Sequence, residues 1–268
     1  MLATGRLTAA ALTCGAAILL FAVHVRPLGY VPLVAGVLLG LVLDRRLGRD
    51  LGLIALGMAI VSAIPLKADL SDAGMLRFTV ALSLAVLVPW ALSKYVFKDD
   101  DGAGAVRFPV ATGVPWTRGQ WLYLGVVVLV GYLLLPWYFL SSGAYLNWPT
   151  LEDDGDIARL FVGVNAVGIW DELFFICTVF ALLRRHLGLQ VANVLQAVVF
   201  VSFLWELGYR EWGPALTIPF ALVQGWIFAR YKSLPYVVAV HLLFDAVVFA
   251  VLVHGHRPEL LDVFVTAP

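Results

Sequence analysis

Nine mostly apolar stretches dominate this chain: residues 7–25, 28–43, 51–66, 75–97, 120–140, 157–183, 189–209, 214–230 and 234–253. A helix needs roughly 17 to 25 apolar residues to cross a bilayer, and backbone in lipid must satisfy its hydrogen bonds internally. The fold class expected is therefore all-α, a polytopic membrane helix bundle with about 8 to 9 transmembrane helices. Nine is the preferred count. The second and third stretches are short and punctuated by Pro27, Pro32 and Pro65, so the fallback is eight, with one of that pair re-entrant. The first stretch is read as a membrane helix rather than a cleaved signal peptide, because it is long for a signal core.

Composition agrees. Only 13% of the 268 residues are charged, about half the usual share of a soluble domain, so an ordinary water-soluble enzyme is excluded. The 18 basic and 18 acidic residues balance, and nothing points to nucleic acid. Cys14 and Cys177 both lie in apolar runs and read as small core residues.

Placing the nine stretches alternately across a membrane puts 12 of the 18 Lys and Arg on one side, among them Arg45, Arg46, Arg49, Lys94, Arg184 and Arg185. The positive-inside rule then predicts an N-terminus inside and a C-terminus outside, as in a bacterial cytoplasmic membrane. The longest polar connection, 98–119, begins Lys98-Asp99-Asp100-Asp101 and divides a four-helix region, 1–97, from a five-helix region, 120–268. The acidic loop around Glu152, Asp153, Asp154 and Asp156 is read as solvated. Trp90, Trp121, Trp137 and Trp148 are read as interfacial anchors, and His254 and His256 as a solvated tail.

Charges inside a span cost roughly 2.5 to 3.5 kcal/mol each on insertion scales, which marks them as candidate functional sites. Asp171 and Glu172 sit near the middle of the sixth stretch, His241 and Asp245 in the ninth, and Glu206 towards the end of the seventh. The i, i+4 spacing of His241 and Asp245 stacks both side chains on one helical face. Asp171 and Glu172 diverge by about 100° around a regular helix, so only one is expected to aim straight at a given site. Carboxylate plus histidine in a low-dielectric pocket can activate water and stabilise an oxyanion. That is amide hydrolysis without a serine or cysteine nucleophile. Buried polar residues that merely bond helices together are the alternative.

From about residue 157 to 253 the chain resembles the CPBP intramembrane proteases, the group of the CAAX prenyl endopeptidases and many bacterial immunity-type membrane proteins. Their signature is Glu-Glu-x-x-x-Arg, then Phe-x-x-x-His, then His-x-x-x-Asn or Asp. His241-Leu-Leu-Phe-Asp245 matches the third motif and follows a family-like basic turn, Arg230-Tyr-Lys-Ser-Leu. Asp171-Glu172 stands at the paired glutamates, with Ile176 at the arginine position. Gln196-Ala-Val-Val-Phe200 leads into the second motif, which places Leu204 at the histidine.

The resemblance implies an intramembrane endopeptidase acting on a membrane protein or lipid-modified peptide. Asp171 or Glu172 would activate water, His241 with Asp245 would polarise the scissile carbonyl, and Glu206 would shuttle a proton. No cofactor is expected. One alternative is a metal-dependent membrane hydrolase in which Glu172, Glu206, His241 and Asp245 bind a divalent cation. Another is a catalytically silent immunity factor, chaperone or scaffold, to which the missing arginine and histidine point. A transporter is the weakest reading, since there is no repeated half with matching broken helices.

Overall fold

The computed structural model describes residues 2–99, 102–111 and 113–267, so Asp100 and Asp101 of the polar connection lie outside the described residues. Among the described residues there are nine long helical segments and no strand: α1 (Leu2–Ala22), α2 (Arg26–Leu43), α3 (Arg45–Ser62), α4 (Asp72–Tyr95), α5 (Arg118–Ser141), α6 (Asp154–Arg184), α7 (Leu189–Leu207), α8 (Pro214–Tyr231) and α9 (Leu234–His256).

Their starts follow from local chemistry. Asp44 caps α3 by accepting from Arg46 N at 2.9 Å, Ser71 caps α4 through Gly74 N at 3.1 Å, and Asp153 caps α6 through Asp156 N at 2.9 Å. Thr117 and Gln120 form a reciprocal capping box at α5, which satisfies two otherwise orphaned amide groups. The acidic loop before α6 thus spends part of its charge locally: Asp156 Oδ2 also accepts from Glu152 N at 3.0 Å.

Seven of the nine are long and apolar enough to cross a membrane by length and composition: α1, α2, α4, α5, α6, α7 and α9. The count of eight to nine is therefore reduced by that measure. Of the two short stretches, one of which was expected to be re-entrant, the first, α2, qualifies. Its neighbour α3 does not, because Arg45, Arg46, Arg49 and Asp50 crowd its first half, and α8 is diluted by Pro219, Gln224 and Arg230.

Apolar side chains of α2 (Val31, Leu38, Val42) and α5 (Leu122, Leu129, Leu133) face outward, as a lipid-facing belt requires. Inside, α1 packs on α2 and α7, α4 and α9 both touch α6, and α9 also lies along α5. The α1/α2 approach depends on Gly36: a Cβ there would stand 2.3 Å from Thr13 Oγ1 and 2.6 Å from Ala9 O. Small residues of this kind let membrane helices pack backbone to backbone. Cys14 and Cys177 are free thiols, both buried.

The connections gather at two ends of the bundle. At one, Arg6 pairs with Asp44 (3.0 Å), Arg185 with Asp99 (2.5 Å), and Leu234 N donates to Pro109 O (3.1 Å). At the other, Arg26 donates to Ile64 O (3.2 Å), Arg159 pairs with Asp72 (2.9 Å), and Arg257 donates to Glu152 O (3.2 Å). The first is the arginine-rich end of the sequence count. Two expectations fail at the second. Trp148 is buried beside Gly208 and Tyr209 rather than anchored at an interface, while Trp121 and Trp137 are exposed. His254 and His256 are not solvated tail residues, because each bonds a backbone carbonyl, of Leu261 (2.6 Å) and Tyr145 (3.2 Å).

Candidate active site

Near the middle of α6 the backbone changes from α-helical, ending at Asp171, to π-helical over Glu172–Phe180. A π segment re-phases the side chains that follow it and is frequent at functional sites. Here the change falls between the two carboxylates. Both reach the same imidazole: Glu172 Oε1 lies 2.7 Å from His241 Nδ1, and Asp171 Oδ2 lies 3.6 Å from His241 Nε2. The expectation that only one of the pair would aim at the site is thereby corrected, since the two approach opposite edges of one ring.

Asp245, one turn along α9, places Oδ1 3.8 Å from the same Nε2. All four groups are buried, with relative exposures of 0% to 4%. Among the described residues Asp171 Oδ1, Glu172 Oε2 and Asp245 Oδ2 have no hydrogen-bond partner. Each such oxygen carries a desolvation penalty that a bound donor would relieve.

Two contributors were not picked out from the sequence. Gln224 on α8 donates Nε2 to Glu172 Oε1 at 2.7 Å and to Val237 O at 3.1 Å, clamping α6, α8 and α9 around the carboxylate. Its only signal is a buried amide in an apolar run. Gly168, one turn before Asp171, gives Asp245 and His241 room against α6: a Cβ at 168 would stand 2.0 Å from Asp245 Oδ2 and 3.2 Å from His241 Cδ2.

Aromatic packing fixes the rest. Phe220 meets the His241 ring edge-on at 5.0 Å between centroids, and Phe200 lies 6.0 Å away. Phe200 stacks on Phe175 at 4.4 Å, Trp170 stacks on Phe174 at 5.0 Å, and Trp170 Nε1 donates to Leu82 O of α4 at 2.8 Å. Such ring pairs contribute about 0.5 to 1.5 kcal/mol each beyond their burial. Ile176 and Leu204, at the motif arginine and histidine positions, are buried apolar residues.

Glu206 is not brought into this cluster. It is held by His24 Nε2 at 2.5 Å and Arg210 at 3.1 Å, where the chain leaves α7. Both contacts fall on Oε2 and draw the carboxylate away from the cluster, so Glu206 does not complete a ligand set with Glu172, His241 and Asp245. Among the described residues no group of three or more His, Cys, Asp or Glu is arranged to hold a metal ion.

A cavity of about 400 Å³ reaches the cluster, lined at its deep end by Asp171, His241 and Asp245 and along its walls mainly by apolar residues of α4 and α6. Glu172 does not line it. The arrangement is thus layered, with Glu172 and Gln224 behind the imidazole, and Nε2 with two carboxylates in front.

Residues 154–247 match the family model of the Type II CAAX prenyl endopeptidase Rce1-like domain. No curated protein and no solved structure matches the chain. The matched segment, 94 of the 268 residues, runs from the start of α6 into α9 and holds Asp171, Glu172, His241 and Asp245, so it is this part of the chain that is similar to that domain.

Proposed function

We propose that the chain is an intramembrane endopeptidase that hydrolyses a peptide bond in a membrane protein or lipid-modified peptide, in a bacterial cytoplasmic membrane with the N-terminus inside. The observation that carries this reading is the layered imidazole. Glu172 Oε1 accepts from His241 Nδ1 at 2.7 Å, which fixes the ring and turns Nε2 to the cavity. Asp171 and Asp245 flank that edge with unpaired oxygens.

In this mechanism Asp171 takes a proton from water as its oxygen bonds to the scissile carbonyl carbon. The resulting oxyanion accepts a hydrogen bond from protonated Nε2 of His241. Asp171 then passes the proton to the departing amine as the C–N bond breaks, leaving a new carboxyl and a new amino terminus. Glu172 is a positioning residue, acting through the imidazole, and Gln224 positions Glu172.

Mapping new peptide termini in membranes of cells that express the chain tests this. Termini that appear with the wild type and vanish with Asp171→Asn and with His241→Ala are expected, each variant being folded and present at equal level. Glu172→Gln is expected to lower cleavage less, because the amide still accepts from Nδ1. If the terminus profile of both Asp171→Asn and His241→Ala matches the wild type, the protease reading fails and a binding or scaffold role stands in its place.

A further inference from the structure

The cavity has a direction. Its walls comprise the first two-thirds of α4, from Met75 to Leu87, and of α6, from Leu160 to Leu173; Ala68, Asp69, Trp148 and Tyr209 surround its outer part. All of these connections belong to the arginine-poor end, where Arg159 meets Asp72 and Arg257 meets Glu152. Along the flank, Thr79, Ser83 and Leu87 of α4 and Val162, Ala166 and Ile169 of α6 are both cavity-lining and exposed. The space is therefore a groove that runs from one end of the bundle towards its centre and opens sideways between two helices. Asp171 lies seventeen residues past Asp154 in a 31-residue helix, about 25 Å along it at 1.5 Å per residue.

Beyond the cluster, at the arginine-rich end, a second cavity of about 370 Å³ lies among Pro109, Trp116, Gln120, Arg230 and Ser233, and none of the four clustered residues lines it. Glu172 is sealed by Gln224, and below it Cys177, Ile227, Tyr236, Val237 and Val240 pack into a separate apolar cluster with Leu124 and Val127. Tyr236 closes that floor further by donating to Gln120 O at 3.0 Å.

We infer that the site draws its substrate from the extracytoplasmic side, through the α4/α6 groove, and that the substrate is a polypeptide whose apolar anchor sits in the outer leaflet. This rests on the protease reading for what happens at the cluster, but the route is carried by three independent facts: the groove opens at the arginine-poor end, its flank is largely apolar and lies on the outer face of the bundle, and the opposite floor is packed. Positive charge retained on the cytoplasmic side makes the arginine-poor end the outer one. An anchor lying in that leaflet can slide laterally into the groove and place the adjoining peptide bond against Asp171 and His241 without leaving the membrane.

Cysteine accessibility tests this without requiring turnover, so its failure and that of the protease reading are distinguishable. Both native thiols are 0% exposed, and the wild-type chain sets the background. Ala68→Cys, at the mouth, and Ser83→Cys, on the exposed groove wall, are treated with a membrane-impermeant maleimide in right-side-out and inverted membrane vesicles, with Lys98→Cys as reporter of the arginine-rich end. Ala68→Cys and Ser83→Cys are expected to react in right-side-out vesicles only, and Lys98→Cys in inverted vesicles only. Reaction of Ala68→Cys in inverted vesicles alone would reverse the orientation and overturn the inference. Failure of Ser83→Cys to react from the outer face, whether or not Ala68→Cys reacts, would show the groove closed to that side and overturn it equally.

Discussion

Two histidines in this chain, His241 buried and His186 half-buried, each contact an aspartate or glutamate at 2.7 Å, and they sit in opposite surroundings. His186 bonds Asp50, which is also approached by Arg185 Nε at 3.4 Å, and Arg185 in turn pairs with Asp99. That cluster alternates charge and ties α3 to the end of α6. His241 faces three carboxylates with no arginine or lysine among its contacts, and three of their oxygens have no hydrogen-bond partner. Buried charge that is paired and bonded holds helices in register, whereas buried charge left partly unpaired costs stability. Such a cluster is retained at the end of a cavity where it can act on something that enters. The same residue types thus form a clamp in one place and, on the proposed reading, carry chemistry in the other.

Removing each ring separates the two roles, and the largest effect falls on His241. His241→Ala is expected to lower cleavage by about 10² to 10³-fold, the usual cost of removing an oxyanion donor, well beyond what the lower unfolding temperature from losing a buried ring accounts for. His186→Ala is expected to touch stability alone. It leaves Asp50 without its closest partner and costs about 1 to 3 kcal/mol, read as a lower unfolding temperature, with cleavage per folded molecule unchanged. Equal loss of activity in both would erase the distinction between clamp and site.

A smaller effect probes the space around the second cluster. Gly168→Ala would drive a methyl group into Asp245 Oδ2 at 2.0 Å, forcing the carboxylate or α9 to shift at a cost of about 1 to 3 kcal/mol, typical of overpacking. Cleavage should fall with it. Gly125→Ala on α5 is the control, since a Cβ there meets nothing within 4 Å, and it should be neutral in both measurements. An active, stable Gly168→Ala would mean that Asp245 need not lie where it does.

Much of this was legible in the sequence, and the reasons for the rest are physical. Apolar length placed all nine helices, and the cost of charge in lipid picked out Asp171, Glu172, His241 and Asp245, which the fold brings together. The expectation that one of Asp171 and Glu172 would miss the site overlooked that an imidazole has two edges, so two diverging side chains can reach Nε2 and Nδ1 of the same ring. Glu206 was selected by the same rule of buried charge, yet its partner His24 lies 182 residues away in the sequence, a pairing that no local pattern encodes. Gln224 carries no charge and Gly168 no side chain, so neither registers in a search for costly groups. Their roles exist only where α6, α8 and α9 meet.

The smallest expected effect concerns acid, and it sharpens the contrast between satisfied and unsatisfied carboxylates. Two aspartates outside the spans are held below the usual carboxylate range: Asp44 by the Arg46 amide that it caps, with help from Arg6, and Asp69 by hydrogen bonds from Ser71 and then Arg77. A depressed folded value means that the stabilisation is fully present above the unfolded value, near pH 4, and is lost as pH falls through the folded one. Both groups are partly exposed, so salt screens the ion pairs and the shift in unfolding temperature between pH 5 and pH 3 is modest. Asp44→Asn with Asp69→Asn should flatten that part of the profile while lowering stability at neutral pH. If the double variant keeps the whole acid response, other carboxylates carry it, and the capped pair does not govern how the fold meets low pH.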